Sequence, residues 1–147
     1  MINKSINRIG FDHQVTSIYA SDTTIFLGTA NKGAFSGELR KHGSQIKFVS
    51  NRNFQLHTEP GKNYVNLITG LNDRQLIVST PFAVYIVDRG NIEQSRKIGR
   101  GLTHLKEGIA NALMVDRSKN IWIGTQKGLY KYRQPTLIYD YYEIETS

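Results

Sequence analysis

The sequence predicts an all-β chain assembled from three repeats of one four-stranded unit. Three observations carry that prediction. The stretch 110–132, "ANALMVDRSKNIWIGTQKGLYKY", has two partners elsewhere in the chain. They are 65–86, "VNLITGLNDRQLIVSTPFAVYI", and 15–36, "VTSIYASDTTIFLGTANKGAFS", the last with one residue fewer in its first turn. The repeat places Thr29, Thr80 and Thr125 in one column, at spacings of 51 and 45 residues. Apolar alternation dominates throughout, and helical spacing occurs only weakly, at 102–114.

Each copy parses in the same order. A run rich in small residues comes first ("TSIYA", "NLITG", "NALMV"), then a polar turn ("SDTT", "NDRQ", "DRSKN"). A β-branched run ending in Thr follows ("IFLGT", "LIVST", "IWIGT"), then a short turn ("ANKG", "PF", "QKG"). An alternating strand is next ("AFSGELR", "VYIVD", "LYKYR"), and a fourth run closes each unit ("QIKFVS", "NIEQSRKI", "TLIYDYY"). Polar turns such as "KHGS" and "DRGN" join the last two strands. Four antiparallel strands in about 40–50 residues is the blade of a β-propeller.

The side chains suit that assignment. An innermost strand is crowded near the axis, and Ser17, Ala20, Gly70, Ala110 and Ala112 are small. A second strand covered on both faces reads as a continuous apolar run. Gly33 and Gly128 supply turn conformations with positive φ. The blades are expected at about 13–55, 64–99 and 109–145, within a single domain over 1–147. Residues 3–9 read either as an extra outer strand completing a blade elsewhere or as a frayed terminus. Trp122 is expected in the core between blades, with ligand stacking as the alternative.

Closed propellers have about four to eight blades, so three do not close in one chain. Self-association, or the remaining blades of a longer parent, is therefore expected, because open blade faces leave large apolar patches.

Composition narrows the function. The net charge is +7, but the basic residues, among them Lys4, Arg8, Lys32, Arg40, Lys41, Lys47, Arg52 and Lys62, are scattered, and no nucleic-acid partner is expected. No apolar run approaches the ~20 residues of a membrane helix, and the N-terminus has no apolar signal-peptide core. There is no cysteine, hence no disulfide and no thiolate ligand. His13, His42, His57 and His104 lack ligand spacing, so no metal and no cofactor are expected. Nucleophile-elbow, Walker and zincin motifs are missing, and Gly99-Arg100-Gly101 is a lone GxG between strands. Asp116 looks catalytic in isolation, but its place at the mouth of a turn predicts bonds to backbone N–H groups. The chain is expected not to be an enzyme.

The segment "NALMVDRSKNIWIGTQKGLYKY" closely resembles the two-component regulator propeller repeat. Asp116, Asn120, Trp122, Gly124, Thr125, Gly128, Leu129 and Tyr130 match its pattern. The copy at 65–86 lacks the Trp and both glycines, and that at 15–36 lacks the Asp and Trp. The resemblance implies a bacterial, periplasmic or otherwise extracytoplasmic sensor propeller that binds a signal, commonly a glycan fragment. The kinase and regulator parts of such systems are not in this chain. A broader likeness to streptogramin lyases, which carry a metal and a catalytic His, is the remote enzymatic alternative; no His here falls in a matching blade position.

A small polar ligand or oligosaccharide is expected on the face made by the turns 30–33, 81–82 and 126–128 and by the inter-blade connections 52–64 and 99–108. The candidate contacts are Lys32, His57, Tyr64, Phe82, Arg100, His104 and Lys127. Aromatic faces pack on sugar C–H surfaces while cations and amides bond hydroxyls. The rival reading is a protein-interaction scaffold, in which blade-face residues such as Phe26 or Ile77 contact another chain.

Overall fold

The computed structural model describes residues 8–56, 62–98 and 110–133, and the backbone of a strand at 138–142. Three sheets, antiparallel apart from one short outer strand, follow one another along the chain. The first holds β2 (Val15–Ser21), β3 (Thr24–Thr29), β4 (Ala34–His42) and β5 (Gln45–Phe54), with the two-residue β1 (Ile9–Gly10) on its outer edge. The second is β6 (Leu67–Gly70), β7 (Gln75–Ser79), β8 (Val84–Asp88) and β9 (Arg96–Lys97). The third is β10 (Ala110–Val115), β11 (Ile121–Thr125), β12 (Gly128–Arg133) and β13 (Ile138–Tyr142). Each runs in order from inner to outer strand, and β6 packs against both β2 and β10. This is a partial β-propeller of three blades.

Two apolar seams hold the blades together. The seam between the first and second joins Phe26, Ala34 and Phe54 to Ile68, Leu76, Val78, Tyr85 and Val87, with Val65 from the connection. Burial there raises the Tyr85 phenol above its usual 10.0. The seam between the second and third joins Leu71, Ile77, Val84, Ile86 and Ile98 to Ala110, Ile121, Ile123, Tyr130 and Tyr132. Alternation along a strand sends successive side chains to opposite faces. Leu76 and Val78 therefore enter one seam and Ile77 the other, and β7 is buried on both sides.

Among the described residues, the third blade packs on a neighbouring blade through one face. Ile121 and Ile123 are fully buried, whereas Trp122 is half-buried and points away from the second blade. The Lys131 ammonium lies 4.9 Å from its ring centroid. Trp122 thus sits outside the seam that its Ile neighbours fill. On the first blade, the corresponding outward face carries Phe35, and the N-terminal arm folds over it. Phe11 meets Phe35 and Phe48 edge-on at 5.4 and 5.2 Å, and His13 stacks on Phe35 at 5.3 Å. The arm continues from Ile9–Gly10, which pairs in parallel with Ile46–Lys47 of the same blade. Residues 3–7 of the expected extra strand lie outside the described residues.

The fourth run of the second blade departs from a regular strand. Asp88 Oδ1 accepts the N–H groups of Gly90 and Asn91, and Asn91 Oδ1 accepts that of Glu93. These local bonds compete with a ladder. The chain forms a single 3-10 turn at Ile92–Gln94, and only Arg96–Lys97 pair with β8.

Candidate functional site

The three repeat threonines build one end of the molecule. Thr29 Oγ1 donates to the Gly33 carbonyl (2.6 Å) and accepts the Lys32 N–H (3.0 Å). Thr80 Oγ1 donates to the Ala83 carbonyl (3.3 Å) and accepts the N–H groups of Phe82 and Ala83 (3.2 Å each). Thr125 Oγ1 donates to the Gly128 carbonyl (3.2 Å) and accepts the Lys127 N–H (3.1 Å). One hydroxyl thus closes each hairpin between second and third strands, even where Pro81-Phe82 replaces the glycine-bearing turn. Gly33 has φ +75°, and a Cβ there would lie 2.1 Å from the Phe54 carbonyl oxygen, so the first turn requires glycine.

The inner strands begin at this same end. The Val65 N–H bonds the Thr29 carbonyl at 2.9 Å, and the Asn66 N–H bonds that of Ser79 at 2.8 Å. In the first and third blades the ladder skips a residue: pairing passes from Val15 to Ser17 and from Ala110 to Ala112. The skipped residues are Thr16 and Asn111. A bulge re-aims its extra side chain, and these two meet Asn66 around a groove of about 390 Å³. Gln14, Tyr64, Val15, Leu67 and Ala110 also line it. The Thr16 hydroxyl donates to the Val65 carbonyl, tying the first two blades at the rim, and Asn66 Nδ2 has no hydrogen-bond partner among the described residues.

Of the seven sequence candidates, Tyr64 lines this groove, 39% exposed. Lys32, Phe82 and Lys127 each occupy the threonine turn of their own blade, at the same end but outside the groove lining. Phe82 is 55% exposed, with the Lys62 ammonium 5.8 Å from its ring centroid. His57, Arg100 and His104 lie outside the described residues. Sequence reasoning missed Thr16, Asn66 and Asn111, although they occupy one repeat column, polar in all three copies.

Asp116 closes the first turn of the third blade. Oδ1 accepts the N–H groups of Ser118 and Asn120 (2.9 Å each), and Oδ2 accepts Asn120 Nδ2 (3.1 Å) and Trp122 Nε1 (3.0 Å). The Trp122 bond, with the others, lowers its pKa from 3.8 to about 2. The geometry is that of a turn brace.

Phe26 and Ile77, named for the scaffold reading, are 2% and 0% exposed inside the two seams. No group of three or more His, Asp or Glu side chains able to hold a metal occurs among the described residues. None of their helices is long and apolar enough to cross a membrane.

No known family model matches the chain, and no characterised protein matches it by sequence. Solved structures do. The extracellular domain of a B. thetaiotaomicron protein, described in one structure as a one component system, superposes with a TM-score of 0.72 at 16% identity, over 91% of this chain and 18% of that one. A second structure, described as the extracellular domain of a hybrid two component system, gives 0.69 at 19%, over 95% and 18%. The computationally designed protein Ika4 gives 0.61 at 11%, over 99% and 82%. At these identities the likeness establishes the fold. The chain spans under a fifth of each B. thetaiotaomicron domain.

Proposed function

We propose that this chain is a non-catalytic, ligand-sensing propeller segment of an extracytoplasmic two-component-type receptor, and that it recognises a small polar ligand such as a glycan fragment. The observation that carries the reading is the groove where Thr16, Asn66 and Asn111 converge beside Tyr64. Amides and a hydroxyl there offer both donors and acceptors, and the partly exposed Tyr64 ring supplies an aromatic surface for sugar C–H groups. Support also comes from the repeat signature at 110–132 and from the likeness to extracellular domains of sensor systems. Among the described residues no blade packs on the outer face of the third, which fits completion by further blades or by a second copy.

The test is calorimetric titration with a panel of neutral mono- and disaccharides against the wild type, Tyr64→Ala and Asn66→Ala. Saturable binding that weakens at least tenfold in both variants supports the reading. Binding indifferent to both, or heat from none of the panel, sinks it.

A further inference from the structure

A second cleft opens at the other end of the first seam. It measures about 500 Å³ and is lined by Thr24, Phe26, Ser36, Asn51, Arg52, Phe54, Arg89 and Gly90. Two guanidinium groups border it, and no carboxylate is among its lining residues. We propose that this cleft binds a small ligand through an oxyanion, a carboxylate or a sulfate.

The two cations come from different blades. Arg89 leaves the end of β8, its backbone N–H bonded to the Arg74 carbonyl at 2.8 Å, and its guanidinium lies 4.9 Å from the Phe26 ring centroid. Its Nε is buried and has no hydrogen-bond partner among the described residues. Leaving a bond unmade on a buried cationic donor is costly, so the donor is poised for an acceptor. Asp88, its sequence neighbour, spends Oδ1 on the amides of Gly90 and Asn91. Arg52, across the seam, donates from Nη1 to the Arg89 carbonyl and lies 5.8 Å from the Phe54 ring centroid. Contact with the rings restrains each guanidinium, whose planar fork matches an oxyanion in two-point fashion.

A bulge again supplies the neutral polar groups. Pairing between β4 and β5 shifts between Ser36, opposite Arg52, and Gly37, opposite Ser50. The extra residue is Asn51, and its Oδ1 accepts the Ser36 hydroxyl at 2.7 Å. Gly37 permits the irregularity: a Cβ there would lie 2.2 Å from the Val49 carbonyl oxygen. Asn51 Nδ2 and the Thr24 hydroxyl remain at the rim to bond neutral oxygens of the ligand body. The overall +7 charge adds a long-range attraction for anions.

The experiment is an NMR titration that follows the Nε–Hε resonances of Arg52 and Arg89. The probes are sodium D-glucuronate, sodium sulfate and D-glucose, at constant ionic strength held with sodium chloride. Saturable shifts of both resonances with glucuronate or sulfate, and none with glucose, are expected. Tighter glucuronate than sulfate assigns the cleft to an organic acid; equal affinities assign it to the oxyanion alone. Arg52 is exposed, so Arg52→Gln should fold as the wild type does and bind at least tenfold more weakly. Tyr64→Ala should bind these anions unchanged, which separates this cleft from the groove at the opposite end. The proposal is overturned if neither anion shifts the resonances beyond the chloride control, or if Arg52→Gln binds like the wild type.

Discussion

Truncation of Leu76 and of Ile77 probes the two seams one at a time. Both side chains are 0% exposed, they are adjacent on β7, and they enter different apolar clusters. Leu76→Ala removes three carbons' worth of transfer free energy, about 2.5 kcal/mol at ~0.8 per methylene. A residual cavity adds to that, giving about 3–5 kcal/mol; Ile77→Ala falls in the same range. Urea unfolding followed by Trp122 fluorescence and by circular dichroism reads the effect. With a slope of about 1–3 kcal/mol per molar, each midpoint should fall by roughly 1–5 M. Melting temperatures should fall by roughly 6–20 °C. Ile18→Ala, at 66% exposure on an inner strand, should stay within about 0.5 kcal/mol. The reasoning fails if either core truncation costs under about 1 kcal/mol, because β7 is then not enclosed on both faces. It also fails if Ile18→Ala matches them.

Three further outcomes are expected. Gly33→Ala forces a side chain into a left-handed turn with a Cβ 2.1 Å from a backbone oxygen, and should cost more than about 2 kcal/mol by urea midpoint; Gly43→Ala, at φ +61° in open space, should cost less. Thr29→Val removes a buried hydroxyl with two bonds and should cost about 1–2 kcal/mol, whereas Thr125→Val, at a half-buried turn, should cost about half that; equal losses would contradict the burial difference. Asp116 has its folded pKa lowered to about 2 against 3.8, so its stabilisation is complete above about pH 4 and disappears as pH falls toward 2. Asp116→Asn should flatten that acid limb of the urea midpoint, and a limb identical to the wild type's would refute the role given to the turn.

The fold was legible because each blade carries a whole period of the pattern. The Thr column marks the same hairpin three times, and the hydroxyl closes each hairpin in the structure. Asp116 was legible too, as its bonds are local and end within six residues. Trp122 was not. Its column suits the interior of a closed stack, but which face of a strand is covered depends on what lies beside the blade. The groove was half legible. Tyr64 was named, but Thr16 and Asn111 take their direction from bulges, and a skipped ladder residue has no residue-type marker. Arg52 and Arg89 stand 37 positions apart and looked like two more scattered surface cations. Blade stacking alone sets them on one cleft.

The same device operates at both ends of the first seam, and it explains why polar groups gather there at all. A regular ladder sends side chains alternately into seams, where polar groups are costly without partners. Leu76, Ile77 and Val78 obey that rule in the middle blade, whose β6–β7 pairing runs without a register shift. Where the ladder slips by a residue, at Thr16 and at Asn51, a polar side chain leaves the alternation and reaches a rim. The slips belong to the first blade at opposite ends of its sheet, one serving the groove and one the cleft. Restoring register therefore makes a sharper test than removing side chains. Deleting Asn51 should regularise β5 against β4 with Arg52 still opposite Ser36, and remove the amide that joins Ser36 at the cleft rim. The deletion variant should keep β-sheet circular dichroism and neutral-sugar binding at the groove while weakening the anion response of Arg89. Loss of both together would mean that the two ends form one site, and independence would mean two.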